Sequence, residues 1–335
     1  MSAFQVAIDQ AKGGQDLSVD QTSQLIDEML RGDASDDDIA QLLLSLKDKG
    51  ESVDELVGAA SAMRRHMTPI PHSHATLLDT CGTGGSESGT FNISTAVAIT
   101  AAAAGVAVAK HGNRKATSLT GSADVLEELG VPIESDADSV AKRLDDLGIC
   151  FCFAVKLHPA MRHVVGVRRK LGVKTLFNLL GPLCNPAGAT HQLLGTASVD
   201  AQEKVAAAIA QLGTTRSFVV HGADGTDEVS LDGATNVLDV TPSGQRALQW
   251  TPSDFGLLPV GREALGAADP AQSAAIIRRI FDGQPGPCRD TVLAGTAAAL
   301  LLVGAVESLR DGTTKAADVI DGGAAKQKLA ALAAS

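Results

Sequence analysis

Five stretches of the chain carry residue types whose spacing suits chemistry on a small anion. Asp79-Thr80-Cys81-Gly82-Thr83-Gly84-Gly85 follows a short apolar run and precedes an alanine-rich helix. Three glycines in four positions let the backbone turn sharply and bring several N–H groups to one ligand. With a helix N-terminus behind it, such a loop suits a phosphate or pyrophosphate, although a tight strand–helix turn would use the same glycines. It is neither GK[ST]-terminated nor GxGxxG, so no nucleotide fold is implied. Thr90-Phe91-Asn92-Ile93-Ser94-Thr95 then crowds Asn92, Ser94 and Thr95 into a first helical turn. One cap needs one such residue; the surplus points to ligand or metal contact. Lys110-His111-Gly112-Asn113-Arg114 comes directly after an apolar run read as a strand, where open α/β sheets bind ligands. Gly121-Ser122-Ala123-Asp124 adds a further hydroxyl at a helix start.

The fourth stretch, His221-Gly222-Ala223-Asp224-Gly225-Thr226-Asp227-Glu228, sets two adjacent carboxylates in a glycine-rich loop. Such hard oxygen donors, shared with a substrate phosphate, suit Mg²⁺ better than zinc; a solvated acidic turn is the other reading. The fifth runs through His158-Pro159-Ala160-Met161-Arg162, then Arg168-Arg169-Lys170 to Lys174, then Phe177-Asn178-Leu179-Leu180-Gly181-Pro182-Leu183-Cys184-Asn185-Pro186. Its cations serve an anionic substrate or flank a helix. No Cys/His zinc pattern and no Ser-His-Asp order is supported, and His66, His72, His74, His163 and His191 read as surface or structural residues.

The elements that must position these groups fit within 335 residues, which at roughly 150 per domain means two domains or one large one. Lys and Arg total 28 against 39 Asp and Glu, a formal charge of −11. That balance opposes binding to a nucleic-acid backbone, which needs a dense positive face. A small anion is still admissible, because two or three local cations reverse the sign inside one cleft. Aromatics are 3%, with Trp250 alone and no tyrosine, so alanine, leucine and valine fill the core. The five cysteines are odd in number and form no CxxC; they read as reduced thiols in a reducing compartment. Residues 1–12 lack a basic start and an apolar core, so no export signal is visible. The longest uncharged apolar run, 93–109, contains Ser94, Thr95 and Thr100 and reads as a buried helix followed by a buried strand. A cytoplasmic protein without membrane contact is expected.

Along the chain, Ser18 with Gln21 makes a capping box before Leu25, Ile26, Met29 and Leu30. Ser35 precedes three aspartates and a second apolar stripe, and Ser52 with Glu55 opens a third helix. After the stiff Thr68-Pro69-Ile70-Pro71 link the period changes. Strands are expected at 76–81, 106–109, 149–155 and 217–221. Helices are expected from near Asn92 and at 122–129, 138–147, 199–212, 290–309 and 315–332. Strands alternating with helices predict an α/β protein with a largely parallel sheet covered on both faces.

Together, and in this order, these stretches closely resemble the anthranilate phosphoribosyltransferase family of tryptophan biosynthesis, from the helical N-terminus to about Glu228. The resemblance implies a nucleoside phosphorylase and phosphoribosyltransferase-like architecture. A small helical domain, residues 1–70 with a returning segment at about 162–190, would join a large α/β domain, residues 71–161 and 191–335, with a mostly parallel central sheet. It also implies a homodimer through the helical domains and two Mg²⁺ ions per subunit. The implied reaction transfers the phosphoribosyl group of phosphoribosyl pyrophosphate (PRPP) to the amine of anthranilate and releases pyrophosphate.

Carried over residue by residue, Gly82, Thr83, Gly84 and Gly85 would cradle the pyrophosphate. Thr90, Asn92, Ser94, Thr95, Lys110 and Ser122 would contact phosphate and ribose. Ser94, Asp227 and Glu228 would bind Mg²⁺. Gly82, His111, Asn113 and Arg168 would line the anthranilate site, with Arg168 facing the carboxylate and Gly181 and Pro182 forming a wall. The anthranilate nitrogen is aniline-like and unprotonated at neutral pH, so no general base is required, which agrees with the lack of a persuasive nucleophile–base pair. Two departures stand out: Ser86-Glu87 replace the family's usual Asp-Gly after the glycine loop, and Gly295 stands where an asparagine is usual. Two rivals share the broad fold, a pyrimidine nucleoside phosphorylase and a noncatalytic nucleic-acid-binding relative. The second predicts a basic groove without the metal carboxylates, unlike this acidic chain.

Overall fold

The computed structural model describes residues 1–84, 88–114 and 121–335. Four helices open it: α1 (Ala3–Lys12), α2 (Val19–Arg31), α3 (Asp36–Lys49) and α4 (Val53–His66). Ser18 and Ser52 form the expected capping boxes with Gln21 and Glu55, and the Ser35 side chain caps α3. Helix α1 is an addition to the three helices expected; it buries Phe4, Ala7, Ile8 and Ala11. Two of those four are alanines, so the apolar stripe is faint in the sequence. The Glu55 carboxylate is fully buried. It is held by the backbone N–H groups of Leu17 and Ser52 and by Lys49 Nζ at 3.1 Å, so its buried charge is paired and hydrogen-bonded.

The sheet follows with β1 (Leu78–Gly82), α5 (Ile93–Ala103), β2 (Val108–Gly112), α6 (Ser122–Glu128), α7 (Ala137–Leu147) and β3 (Ile149–Phe153). Short helices α8 (Ala154–Leu157), α9 (Arg162–Leu171) and α10 (Phe177–Leu180) come next, followed by β4 (His191–Gly195), α11 (Val199–Leu212) and β5 (Arg216–Gly222). A hairpin of β6 (Thr235–Thr241) and β7 (Gly244–Trp250) precedes α12 (Pro270–Phe281), α13 (Pro287–Leu302), α14 (Leu309–Asp321) and α15 (Ala324–Ala333). The strand order is β3-β2-β1-β4-β5-β6-β7. The first five strands are parallel, and β6 and β7 run antiparallel at one edge.

Several boundaries differ from the sequence reading, among them the strand expected at 149–155, which ends at Phe153 where α8 begins. The strand expected at 106–109 is β2, which carries Lys110, His111 and Gly112 inside the ladder with β3 rather than in a loop beyond it. The helix expected at 315–332 is two, α14 and α15, because Gly323 adopts φ 77° between them. The helix expected at 290–309 ends at Leu302, and Gly304 turns the chain with φ 71°. Strand β4, the hairpin and α12 were not anticipated. Most of β7 is exposed, so no alternation of apolar residues marks it; Asp239 on β6 instead pairs with Arg216 and Arg246 on either side.

One face of the sheet is covered by α5, α6 and α12 to α15, packed with alanine, leucine and valine. The other is continuous with the interior of α1 to α4, to which α9, α10 and α11 also contribute. Helix α9 packs on α2 and α3, so a segment from the middle of the chain returns to the N-terminal helices. The run 93–109 is the buried helix α5 and the start of β2, and among the described residues no helix is long and apolar enough to cross a membrane. All five cysteines are free; Sγ of Cys150 and Sγ of Cys152 lie 3.9 Å apart on one face of β3.

Candidate active site

The C-terminal ends of β1 and β2, the start of α5 and the loop after β5 line a cleft of about 340 Å³. The chain approaches itself closely here. A Cβ on Gly195 would lie 1.7 Å from the Asp227 carbonyl oxygen, and one on Gly82 would lie 3.0 Å from Asp227 Oδ2. Only glycine at the end of β4 lets the loop after β5 lie flat across the sheet and bring Asp227 and Glu228 over β1. Gly112 has the same role beside Ser122, whose Oγ would be 2.1 Å from an added Cβ.

Lys110 is 3% exposed; its Nζ donates to the Thr80 carbonyl at 2.5 Å and to Ser94 Oγ at 3.0 Å. Burial lowers its pKa, while the negative charges of Asp79 and Glu228 work to keep it protonated. Glu228 accepts the Ser94 backbone N–H, so it stands against the start of α5. Burial first, and then the neighbouring Asp227, push its carboxyl up to about 8. Two carboxylates set side by side in this way suit a hard divalent cation. Among the described residues no group of three or more His, Cys, Asp or Glu could hold a metal. Asp227, Glu228 and Ser94 Oγ are oxygen donors that could hold an ion completing its positions with phosphate oxygens and water, as Mg²⁺ prefers.

Asn92 is the N-cap of α5, its Oδ1 accepting the Thr95 N–H at 3.1 Å, and Ser273 Oγ accepts the Asn92 N–H from α12. The cap uses Oδ1, and Asn92 lines the cleft. Thr95 departs from the expectation. It is fully buried and absent from the cleft lining, so its hydroxyl does not face the space where a substrate would sit. Gly82, Thr83, Gly84, Thr90, Ser94 and Ser122 all line the cleft. Gly85 and the Ser86-Glu87 departure lie outside the described residues. Gly295 is within 2.7 Å of Val97 Cγ2 if given a Cβ, so the position is filled by packing between α13 and α5.

At the other end of the cleft stand His111, Asn113, Arg168, Gly181 and Pro182. His111 Nδ1 meets the Gly181 carbonyl at 2.9 Å, and its Nε2 meets His158 Nε2 at 3.2 Å. With the Nδ1 proton on the Gly181 oxygen, His111 Nε2 accepts from His158. Burial lowers His111 to about 3 and His158 to about 4. Both imidazoles are therefore neutral at physiological pH, and both ring nitrogens of His111 are engaged within the protein. Arg168, half-buried on α9, lies 5.2 Å from the centre of the Phe177 ring and 3.5 Å from Asn178 Oδ1. Asn178 Oδ1 also accepts the Thr175 N–H, which fixes its orientation. Sequence reasoning quoted His158, Phe177 and Asn178 without giving them a role. Their signal was proximity in the chain to Arg168 and to Gly181, and nothing in their spacing said which would touch. Arg114 also lines the cleft and is paired with Asp124 and Glu127 on α6.

The chain matches the helical bundle domain of a glycosyl transferase family over residues 5–67 and that family's α/β domain over residues 74–326. It is 66% identical over 331 residues to the anthranilate phosphoribosyltransferase of Rhodopirellula baltica, covering 99% of this chain and 97% of that one. The chain belongs to the anthranilate phosphoribosyltransferase family. The family member of Thermus thermophilus has a crystal structure that superimposes with a TM-score of 0.91 at 41% identity, over 98% of each chain. The anthranilate phosphoribosyltransferase of Saccharomyces cerevisiae in complex with PRPP and Mg matches with a TM-score of 0.84 at 28% identity, over 93% of this chain and 90% of that one. The small helical unit beside a mostly parallel seven-stranded α/β unit is the architecture expected of this family. Neither the phosphorylase nor the nucleic-acid-binding alternative is favoured by these relatives.

Proposed function

We propose that the chain transfers the phosphoribosyl group of PRPP to the amine of anthranilate, giving N-phosphoribosyl-anthranilate and pyrophosphate. The observation that carries this reading is the pairing of two unlike ends in one cleft. Lys110, Ser94 and the Asp227–Glu228 pair suit a metal-bound pyrophosphate at one end, and Arg168 with the Gly181–Pro182 wall suits a flat carboxylate-bearing acceptor at the other. The bond formed joins the acceptor nitrogen to ribose C1; the C1–oxygen bond breaks and its electron pair leaves with pyrophosphate. The nitrogen then gives its extra proton to solvent. Bound Mg²⁺ supplies positive charge to the phosphate oxygens of the leaving group. Lys110 adds a fixed cation there, and the N–H groups of the glycine loop and of the α5 start add oriented dipoles. Holding both substrates in one frame supplies the rest through alignment.

In this reading Gly82, Thr83, Gly84, Gly85, Thr90, Asn92, Ser94, Lys110 and Ser122 bind PRPP. Gly82, His111, Asn113, Arg168, Gly181 and Pro182 bind anthranilate. Two Mg²⁺ ions per subunit are held by Ser94, Asp227 and Glu228 together with PRPP oxygens. The helical domain comprises residues 1–70 with about 162–190, the α/β domain the rest, and two subunits pair through their helical domains. Five free thiols support a reducing, cytoplasmic setting.

The experiment is direct. With Mg²⁺ and PRPP present, the fluorescence of anthranilate should disappear as it is ribosylated; unchanged fluorescence, with phosphorolysis of thymidine or uridine instead, overturns the reading. Within the site, Arg168→Ala should raise the anthranilate KM about 10- to 100-fold, the loss expected for one charge-assisted contact. The PRPP KM should stay within about threefold. Steady-state kinetics with each substrate varied in turn checks this, and equal changes in both KM values would remove Arg168 from the acceptor site.

A further inference from the structure

The wall of the acceptor site is a short 3-10 turn at Gly181–Leu183, and each of its three carbonyls is held by a side chain from a different element. His111 on β2 takes the Gly181 oxygen, Gln192 Nε2 on β4 donates to the Pro182 oxygen at 2.6 Å, and Arg64 Nε on α4 donates to the Leu183 oxygen at 2.8 Å. Two residues further on, Asn185 Nδ2 donates to Asp79 Oδ2 and to the Ala109 oxygen, each at 2.8 Å, while its Oδ1 accepts the Ala187 N–H. Gln192 and Asp79 are register partners on adjacent strands. One row of the sheet therefore reaches up and fastens the turn from beneath. Gln192 and Asn185 are 5% and 6% exposed, and Asp79 is fully buried.

These contacts are selective in their consequences. His111 lines the cleft and Arg64 reaches the far side of the turn, whereas Gln192 does not line the cleft and its side chain donates to Pro182. It acts on Pro182, the residue at the acceptor wall itself. A buried amide facing a buried carbonyl at 2.6 Å leaves no room for water between them, so loss of the donor frees the Pro182 oxygen to seek another partner. The turn must then shift, and the aromatic acceptor is the molecule that reads its position.

We propose that Gln192 is a positioning residue of the acceptor site, its buried amide setting the place of the Gly181–Pro182 wall and thereby how tightly the site fits the acceptor ring. This rests on the reading of the acceptor as anthranilate. The Gln192 side chain donates to Pro182 and does not line the cleft, so its effect is expected at the acceptor.

The test uses the full-length protein with Gln192→Met, which keeps length and removes the donor, and Gln192→Asn, which keeps the amide but withdraws it from Pro182. Both are assayed with Mg²⁺, PRPP, and either anthranilate or its ring-methylated analogues. The expected result is an anthranilate KM raised about fivefold, the loss expected for one buried neutral hydrogen bond. The PRPP KM and kcat should stay within about twofold, and kcat/KM for methylated relative to unsubstituted anthranilate should rise at least about threefold. A general loosening of the fold would move both KM values and kcat together and would not improve any analogue. That pattern, or an unchanged anthranilate KM and analogue preference in a folded variant, overturns the proposal. If Gln192→Met does not fold, Gln192→Asn carries the same comparison. If the native chain ribosylates no anthranilate, the functional reading fails and takes this proposal with it. Normal native turnover with indifferent Gln192 variants removes the proposal alone.

Discussion

Lys110→Met lowers kcat by about 10²- to 10³-fold, the cost typical of deleting one preorganised group that stabilises developing charge. The size of the effect follows from where the lysine sits. A surface lysine near a phosphate would act across water, where a charge pair at contact is worth little. Lys110 is buried between β1, β2 and the start of α5, with Thr80 and Ser94 fixing its Nζ. Its field on a departing pyrophosphate is therefore weakly screened, and no reorganisation is needed as the charge develops. Methionine fills nearly the same space without the cation. Because Asp79 and Glu228 both face Lys110, its removal takes away their nearest compensating charge, and the melting temperature should fall. Kinetics at a temperature where circular dichroism shows both proteins folded separates the two effects. Turnover within about threefold of native would contradict the role.

The second large effect is at the carboxylate pair. Asp227→Asn with Glu228→Gln keeps both shapes and removes both charges. The Mg²⁺ concentration for half-maximal rate should rise more than about tenfold and kcat should fall by about 10²-fold or more, since the metal contributes several kcal/mol of charge stabilisation. Mg²⁺ titrations of the rate, with Mn²⁺ binding followed by electron paramagnetic resonance, check both. Stability without metal should move the opposite way. Glu228 in the folded protein titrates at about 8, above the ordinary value of 4.5. Between those two values the folded state holds a proton that the unfolded chain has released, so stability declines as pH rises through that window. The amide variant carries no such penalty, and its metal-free melting temperature at pH 8 should equal or exceed that of the native chain. A site that costs stability until its ligand binds is a common trade in enzymes. Unchanged metal dependence would contradict the ligand assignment.

Much of this site could be read from the chain because its parts are local. Gly82 and Lys110 sit at the ends of apolar runs, Asp227 and Glu228 come after another, and Asn92 and Ser94 open the helix behind the glycine loop; strand ends are where an open sheet binds ligands. The helices of the N-terminal unit announced themselves through Ser18, Ser35 and Ser52, whose capping is a short-range event. What was not legible depends on contacts between distant segments. Strand β7 lies mostly exposed with Gln245, Arg246 and Gln249, so its pairing with β6 leaves no apolar alternation. Lys110 looked like a loop residue because charge in a buried strand is rare; only the carbonyl of Thr80 and the hydroxyl of Ser94, 30 and 16 residues away, make it tolerable there. Thr95 looked like a ligand contact because three polar residues shared one turn, yet the turn has an inside and an outside, and Thr95 faces in. The support of the acceptor wall by Gln192, Asn185 and Asp79 joins residues up to 106 apart, beyond any spacing rule.

The same burial that makes Lys110 effective removes His111 from acid–base work. Its pKa of about 3, the neutral His158 beside it and the occupation of both ring nitrogens leave it a wall of the acceptor site. On the proposed reading the rate then comes from alignment and leaving-group charge. The direct test compares the pH dependence of kcat/KM for anthranilate in the native protein and in His111→Asn between about pH 5.5 and 9. Ionisations of the substrates appear in both, so parallel profiles, with the variant lower by no more than about tenfold, are the predicted result, since a general base is worth about 10² to 10⁴. A limb near pH 6 to 7 that is present in the native protein and lost in the variant, with a fall of about a thousandfold, would contradict it.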